Sequence, residues 1–574
     1  MAPRFLLIGI LTLWPMAAFA EAPVETPRAA VTASRQMVAT ANPHATDAGV
    51  DILRRGGSAV DAAIAVQMVL TLVEPQSSGI GGGAFMLLHD AEQGGLTAYD
   101  GRETAPAKVD DTLFLGPDGQ PRDKDEAMPG GQSAGAPGVV RMLAMAHKEH
   151  GKLPWADLFQ PAIALARDGF IVSPRLQYLI STDKHLKKFP ATLAYFFNAK
   201  GEALPAGTLL KNPALADTLE RIARDPEAFY TGEIAADIAR AVQTAPINPG
   251  TLSEADIASY TPLKREAVCA PYRVWNICSM SPPSSGGIAV IQIVRLLEDL
   301  NIAGAKPASP EAINLFVEAS RLAYADRAKW LGDPDFVAVP VAGLLDDNYL
   351  TARSALIAPG TVMEDAPAGD PPGAPQAFRS IEPGEIPATT HYSIVDQWGN
   401  TVAMTSSVEA AFGNRILVRG FLLNNQLTDF SFAPMDGGAP AANRVEPGKR
   451  PLSSMSPTIV FDAEDRPVLT IGSPGGPLII GFVAKTLIGV LDWNLSVQDA
   501  IELPNLAFFN GKLFLERGSA ALAAVPRLTA MGYAPQEAPL VSGLHGIAIR
   551  YGADGGRTLE GGADPRREGT AAGD

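Results

Sequence analysis

Thr389 opens a run of β-branched and aromatic residues, Thr389-Thr390-His391-Tyr392-Ser393-Ile394-Val395-Asp396. It follows directly on a stretch rich in Pro, Gly, Ala and acidic residues between Pro359 and Pro387. A threonine hydroxyl is a poor nucleophile until a base takes its proton. A free α-amine, with a pKa of roughly 7.7, is such a base, carried by the residue itself once the chain is cut before it. Cleavage between Ala388 and Thr389 would therefore create a nucleophile that needs neither His nor Asp. Taken alone, Thr-Thr at a strand start expresses only β-propensity. Three polar stretches downstream hold what acyl chemistry would need besides. Pro451-Leu452-Ser453-Ser454-Met455-Ser456-Pro457 offers adjacent hydroxyls, and Leu423-Asn424-Asn425-Gln426-Leu427-Thr428-Asp429 offers amides and a carboxylate. Gly472-Ser473-Pro474-Gly475-Gly476 can turn successive N–H groups inward to hold an oxyanion. Each of the three, singly, also reads as a turn or an edge loop.

Other chemistries find less support. The Gly79-Ile80-Gly81-Gly82-Gly83 run has no Lys-Ser/Thr after it and precedes a strand, so it is no phosphate loop. His147 and His150 share a helical face with Glu149, but without a third ligand such a pair is a solvated face, and no metal is expected. No serine-hydrolase elbow is expected either. His391 is the rival base to the α-amine, since it lies two residues along the same strand; a structural role is preferred for it.

The elements that must position these groups are legible in outline. Thr46–Val73 has a helical pattern broken at Gly56-Gly57, with Ser58 and Asp61 spaced as a capping box and Pro75 as the stop. Ala84–Leu88 reads as a strand. Residues 150–330 read mostly as helices, one of them capped by Ser309, begun by Pro310 and running to about Leu331. Thr389–Asp396 and Thr401–Ser407 flank a turn at Gln397-Trp398-Gly399-Asn400. Thr458–Phe461 and Val468–Ile471 are further strands. Because strands and helices occur on both sides of the 359–387 stretch, it need not divide two domains.

Composition bounds the rest. Hydrophobic residues make up 47% and charged residues 19% of the 574, enough apolar content for a sizeable core. A net charge of -16 argues against nucleic acid and against anionic membrane surfaces as partners. Arg4, the apolar run Phe5–Ala20 and the small-residue ending Ala18-Phe19-Ala20 have the layout of a cleaved export signal, too short to remain as an anchor. The mature protein is then soluble and exported, in the periplasm or secreted. Cys269 and Cys278 would meet an oxidising compartment, where a bridge across a tight hairpin and two free buried thiols are both open readings. The Gly-rich C-terminal stretch from Gly552 is expected to fray over its last residues.

Together and in this order, the motifs resemble the γ-glutamyltranspeptidases, or glutathione hydrolases, of the N-terminal-nucleophile hydrolase superfamily. The resemblance spans nearly the whole mature chain, from Thr40-Ala41-Asn42-Pro43 through Asp100-Gly101-Arg102-Glu103-Thr104-Ala105-Pro106 and Pro282-Pro283-Ser284-Ser285-Gly286-Gly287 to Ala563-Asp564-Pro565-Arg566. It implies an α+β fold, a four-layer αββα sandwich. It also implies a signal at 1–20, a large subunit at 21–388 and a small subunit at 389–574, produced by self-cleavage and retained as a heterodimer. Thr389 matches the nucleophile, Ser407 a second hydroxyl beside it, and Gly475 and Gly476 the oxyanion-hole glycines. Arg102, Ser453 and Ser454 match the groups that hold the substrate's α-carboxylate, while Gln426 and Asp429 match those that hold its α-ammonium. A zwitterionic donor calls for this division.

Two departures stand out. Glu409 replaces the family's Asn, and its carboxylate either joins the ammonium site or points away as a strand-end charge. The segment around Pro434–Pro440 is short and has no Tyr, which implies a more open cleft. The activity implied is hydrolysis and transpeptidation of glutathione and related γ-glutamyl compounds, with water, amino acids or peptides as acceptors and without a cofactor. A glutaryl or cephalosporin-type acylase of the same family is the alternative, and a non-catalytic exported γ-glutamyl-binding protein a third reading.

Overall fold

The structure is a computed structural model that describes residues 28–375, 388–436, 438–509 and 511–574. The signal-like segment and the last part of the 359–387 stretch lie outside these residues. The first helix, Pro43–Arg54, starts where the Asn42 side chain accepts the His44 N–H and Pro43 supplies a helical φ. The second, Ala59–Val73, starts at Ser58, whose hydroxyl and the Asp61 carboxylate exchange bonds with each other's backbone N–H. All its residues are buried, as an apolar composition on every face requires. Ser309 caps the long helix Pro310–Trp330 in the same way.

Two seven-stranded sheets form the centre. In the first, the strands run edge to edge as Thr570–Gly573, Met37–Thr40, Thr390–Val395, Thr401–Ser407, Gly83–Asp90, Gly95–Asp100 and Leu263–Arg265. In the second, they run as Val31–Ala33, Arg557–Ala563, His545–Tyr551, Pro467–Gly472, Thr458–Phe461, Trp275–Ser279 and Val268–Tyr272. All pairings within both sheets are antiparallel. The helices Pro43–Arg54, Ala59–Val73, Gln160–Asp168 and Pro213–Arg224 share a core with Tyr392, Ile394, Val402, Met404 and Met86 of the first sheet. Gly286–Leu296, Pro310–Trp330 and Ile479–Leu491 do the same for the second sheet. The order is helix, sheet, sheet, helix.

Strand periodicity then decides which side chains meet between the sheets. Tyr392 and Ile394 face the helices, so Thr389, His391, Ser393 and Val395 face the other sheet. Val395 accordingly packs with Met37, Ala39, Ile547 and Leu559, and Ser393 donates to the His545 carbonyl at 3.2 Å.

The turn at Gln397–Asn400 is tied to this core by Asp396. One oxygen accepts the Trp398 and Asn400 N–H groups at 2.9 and 3.0 Å. The other accepts the N–H of Ala59 at the start of the second helix, at 3.0 Å.

The C-terminus does not fray. Thr570–Gly573 pairs with Met37–Thr40 as an edge strand, and the Asp574 carboxylate takes Arg54 at 2.6 Å and Gln36 at 3.0 Å. Glycine content suggested freedom there, but Gly561 leaves room for Met37 and Ala571, whose atoms an added Cβ would meet at 2.6 and 2.9 Å. Residues 150–330 also contain more β structure than their pattern suggests. Three short strands between Leu263 and Ser279 complete the two sheets, Leu263–Arg265 and Val268–Tyr272 at their edges and Trp275–Ser279 one place in, too short to outweigh the helical periodicity around them. Cys269 and Cys278 are directly opposed on two of these strands and are joined in a disulfide. Among the described residues no helix is long and apolar enough to cross a membrane.

Candidate active site

The hairpin register brings two hydroxyls together. Thr390 pairs with Ser406, so one step beyond, at the strand ends, Thr389 stands opposite Ser407. Their oxygens are 3.1 Å apart. Ser407 Oγ also donates to the Ala388 carbonyl at 2.9 Å, as Thr389 Oγ1 does at 2.5 Å. The carbonyl that Thr389 would attack to cut the chain before itself is thus polarised by a neighbouring hydroxyl. The Glu409 N–H donates to Ser407 Oγ at 2.8 Å and fixes that hydroxyl in turn. Glu409 holds φ of 80°, a left-handed conformation uncommon for a residue with a side chain and concentrated at functional sites.

Thr389 and Ser407 open on a cleft of about 270 Å³, lined also by Arg102, Glu409, Gln426, Asp429, Ser453, Ser454, Met455, Gly476 and Ile479. Every residue singled out from the sequence for catalysis or substrate binding lines it except Gly475, which precedes Gly476 in the turn. Both glycines have positive φ, 141° and 58°, a path that a side chain would strain. Among the described residues no acceptor takes either N–H.

The charged groups that line the cleft, Arg102, Glu409 and Asp429, come from three separate segments. Arg102 follows the strand Gly95–Asp100 and is fully buried. Its guanidinium donates to Asp429 Oδ2 at 2.6 Å, to the Leu452 carbonyl at 2.6 Å and to the Pro451 carbonyl at 3.1 Å. Gln426 donates to the same Asp429 oxygen at 2.8 Å. The other oxygens of this pair, Asp429 Oδ1 and Gln426 Oε1, are buried and have no partner. Buried acceptors without donors are costly, and two of them beside a cleft suit a cationic ligand.

Asn424 and Asn425 are scaffold. Asn424 Nδ2 donates to the Gly81 and Gly135 carbonyls at 2.9 and 3.0 Å, and Asn425 donates to Glu409 and to Thr428. Glu409 also receives Lys124 at 3.2 Å. The Ser453–Ser454 loop is held by the Pro282–Gly287 motif. The Ser285 N–H and hydroxyl both donate to the Ser453 carbonyl, at 2.7 and 2.6 Å, and Arg327 donates to Ser285 and Ser454 at 2.8 Å each.

Several side chains escape a sequence reading. Lys124, Arg327 and Ile479 reach the site only through the fold. Glu103, beside Arg102, is buried with neither oxygen hydrogen-bonded; burial pushes its carboxyl up to about 8, with Arg102 only partly opposing. Arg567, from the C-terminal segment, donates to the Thr389 carbonyl at 3.0 Å.

His391 makes no bond to Thr389. Its ring contacts Thr405 at 2.8 Å and Ser393 at 3.1 Å between the sheets, and burial holds its pKa well below the ordinary value. His147 contacts the Leu153 carbonyl at 2.9 Å, and His150 faces Asp90 at 3.2 Å. Gly131-Gln132-Ser133-Ala134-Gly135 does fit the spacing of a nucleophile elbow, which the sequence reading did not expect to find. Ser133, however, is buried in a turn and donates to the Met128 and Gly130 carbonyls at 2.6 and 3.1 Å.

A helix–sheet–sheet–helix sandwich with a hydroxyl side chain at the start of an inner strand is the architecture of the N-terminal-nucleophile hydrolases. The profile of the γ-glutamyltranspeptidase family matches residues 45–574. The glutathione hydrolase proenzyme of Bacillus subtilis (strain 168) is 36% identical over 94% of this chain and 91% of its own length. That of Escherichia coli (strain K12) is 39% identical over 83% and 81%. Among solved structures, a cephalosporin acylase from Bacillus halodurans superposes with a TM-score of 0.82 at 26% identity, covering 97% of this chain and 99% of that one. The chain belongs to the γ-glutamyltranspeptidase family.

Proposed function

We propose that the protein is an exported γ-glutamyl hydrolase and transpeptidase, made as a proenzyme that cuts itself between Ala388 and Thr389 and works as the resulting heterodimer. In the first step Thr389 Oγ1 attacks the Ala388 carbonyl carbon, aided by Ser407, and the C–N bond breaks to leave an ester. That break frees the α-amine of Thr389, and water then hydrolyses the ester, releasing the Ala388 carboxylate and restoring the Thr389 hydroxyl. In turnover that amine takes the hydroxyl proton as Oγ1 attacks the γ-carbonyl of the donor. The N–H groups of Gly475 and Gly476 hold the developing oxyanion, and the ammonium formed on Thr389 returns its proton to the leaving amine. Water, or the amine of an amino acid or peptide, then releases the γ-glutamyl group. Arg102, Ser453 and Ser454 hold the donor's α-carboxylate; Gln426, Asp429 and Glu409 hold its α-ammonium. Glutathione is the donor this reading favours, in line with the names of the relatives.

The observation that carries this reading is the pair of buried acceptors, Asp429 Oδ1 and Gln426 Oε1, in the cleft that also holds Thr389 and Arg102. An ammonium beside a carboxylate completes both ends of this pocket. The likeness to a cephalosporin acylase favours a second reading, in which the donor is a glutaryl amide, but a glutaryl group has no ammonium to offer these oxygens.

Denaturing gels with N-terminal sequencing decide the first point. Wild-type protein should give two chains, the smaller beginning at Thr389, and Thr389→Ala should give one inactive chain. An intact wild-type band without turnover of a γ-glutamyl anilide would sink the proposal.

A further inference from the structure

Arg567 is a buried cation without a carboxylate of its own. It stands on the turn after the strand Arg557–Ala563, is 6% exposed, and donates from Nη1 to the Thr389 carbonyl at 3.0 Å across 178 residues of chain. Its Nε has no partner, and no carboxylate of the described residues forms an ion pair with it. Gly543 makes space for the stem, since an added Cβ would meet Arg567 Cδ at 2.8 Å and Pro474 Cγ at 2.5 Å. The side chain thus runs between the start of the nucleophile strand and the turn that carries Gly475 and Gly476.

The nearby acids are committed elsewhere. Glu74 receives Arg175 at 2.9 Å, Gln76 at 2.7 Å and Ser77 at 3.1 Å. Asp564 receives Ser542 at 2.5 Å and Arg566 at 3.2 Å. Glu568, on the same turn, is raised by burial toward its neutral form, with a hydrogen bond from Ser173 in opposition. Across the cleft Arg102 faces Asp429, and Glu409 faces Lys124. His391 and His545 are held neutral by burial. The uncompensated charge beside Thr389 is that of Arg567.

We propose that Arg567 is a positioning residue that fixes the Thr389 backbone and, through its charge, keeps the α-amine released by cleavage unprotonated at neutral pH, so that it can act as base. The inference rests on the reading of Thr389 as an N-terminal nucleophile. Standard geometry puts a guanidinium bound to a residue's carbonyl about 6 Å from the same residue's nitrogen. At that distance one positive charge, in the effective dielectric of a partly buried site, lowers an amine pKa by about one to two units from its ordinary value of roughly 7.7.

The test is the pH profile of kcat/KM for a γ-glutamyl anilide, measured on wild type, Arg567→Met and Arg567→Lys, with the small chain's N-terminus sequenced in each. The acidic limb of Arg567→Met should move up by about one to two units, with activity at pH 6 reduced about tenfold or more and recovery toward wild type at pH 9. Arg567→Lys should keep the wild-type limb. An unmoved limb in Arg567→Met, whatever its absolute rate, overturns the proposal, because loss of packing alone lowers activity evenly across pH. If Arg567→Met does not fold or is not cut, Gly543→Ala displaces the same side chain: an upward shift of its limb supports the proposal, and an unmoved limb overturns it. A wild-type protein that stays uncut, or works without Thr389, removes the nucleophile reading instead.

Discussion

Asp429→Asn separates the two ends of the donor site. The substitution keeps the shape and removes the charge that faces Arg102 at 2.6 Å, in a pair whose side chains are 1% and 5% exposed. Breaking a buried pair usually costs about 3–5 kcal/mol because a charge is abandoned. Arg102 here retains the carbonyls of Pro451 and Leu452. We therefore expect a smaller stability loss of about 1–3 kcal/mol, on the scale of one unsatisfied group. Binding loses a hydrogen bond between the donor's ammonium and Asp429 Oδ1, worth about 1.5–3 kcal/mol when a charged group is involved. That corresponds to about 10- to 150-fold in kcat/KM for a γ-glutamyl anilide. The paired assay uses a glutaryl anilide, the same acyl chain without the amine, whose kcat/KM should change by less than about threefold, since it has no ammonium for the carboxylate to hold. Equal losses on both substrates would refute the assignment of Asp429 to the ammonium and favour the acylase reading.

Glu409→Gln tests the departure from the family pattern. The main-chain N–H of Glu409, not its carboxylate, holds Ser407, so processing and kcat should persist while KM for γ-glutamyl donors rises about three- to tenfold, the scale of one partly screened charge contact. Reduction of Cys269–Cys278, which closes a loop with a sequence separation of 9, should lower stability by about 2–3 kcal/mol, read as a fall in Tm of the reduced protein. His545 is buried with neither ring nitrogen bonded, and burial presses its pKa down to about 4. The folded state thus binds its proton less tightly than the unfolded chain, and stability is full above pH 6.5 and is lost as pH falls toward 4. His545→Gln should flatten a Tm profile over that window, and an unchanged slope would show that other groups carry it.

How much of this was written in the chain follows from the range of each interaction. Helix starts were legible where a cap is a contact between near neighbours, Ser58 with Asp61 and Ser309 with Ala312, but the first helix begins at Pro43 under an Asn42 cap, three residues before the Thr46 at which its pattern was read to start. The meeting of Thr389 and Ser407 was nearly so, since one tight turn sets the register that places them opposite each other. The order of motifs also pointed to the residues that converge on the cleft, through resemblance rather than through any distance. The C-terminal edge strand was illegible, because its partner is Met37–Thr40 at the other end of the chain. Arg567, Lys124 and Arg327 were illegible for the same reason, since an arginine or lysine far from a motif carries no mark of what it will touch. By itself the sequence determined the longer helices and strands, the caps at Ser58 and Ser309, the hairpin and the chemical inventory, which depend on residues within a turn or two of one another. Only the tertiary structure decided which charges stand paired, which acceptors are left without donors, and which cation faces Thr389. Those properties are set by packing two sheets together, and they exist only once distant segments exclude water from the same space.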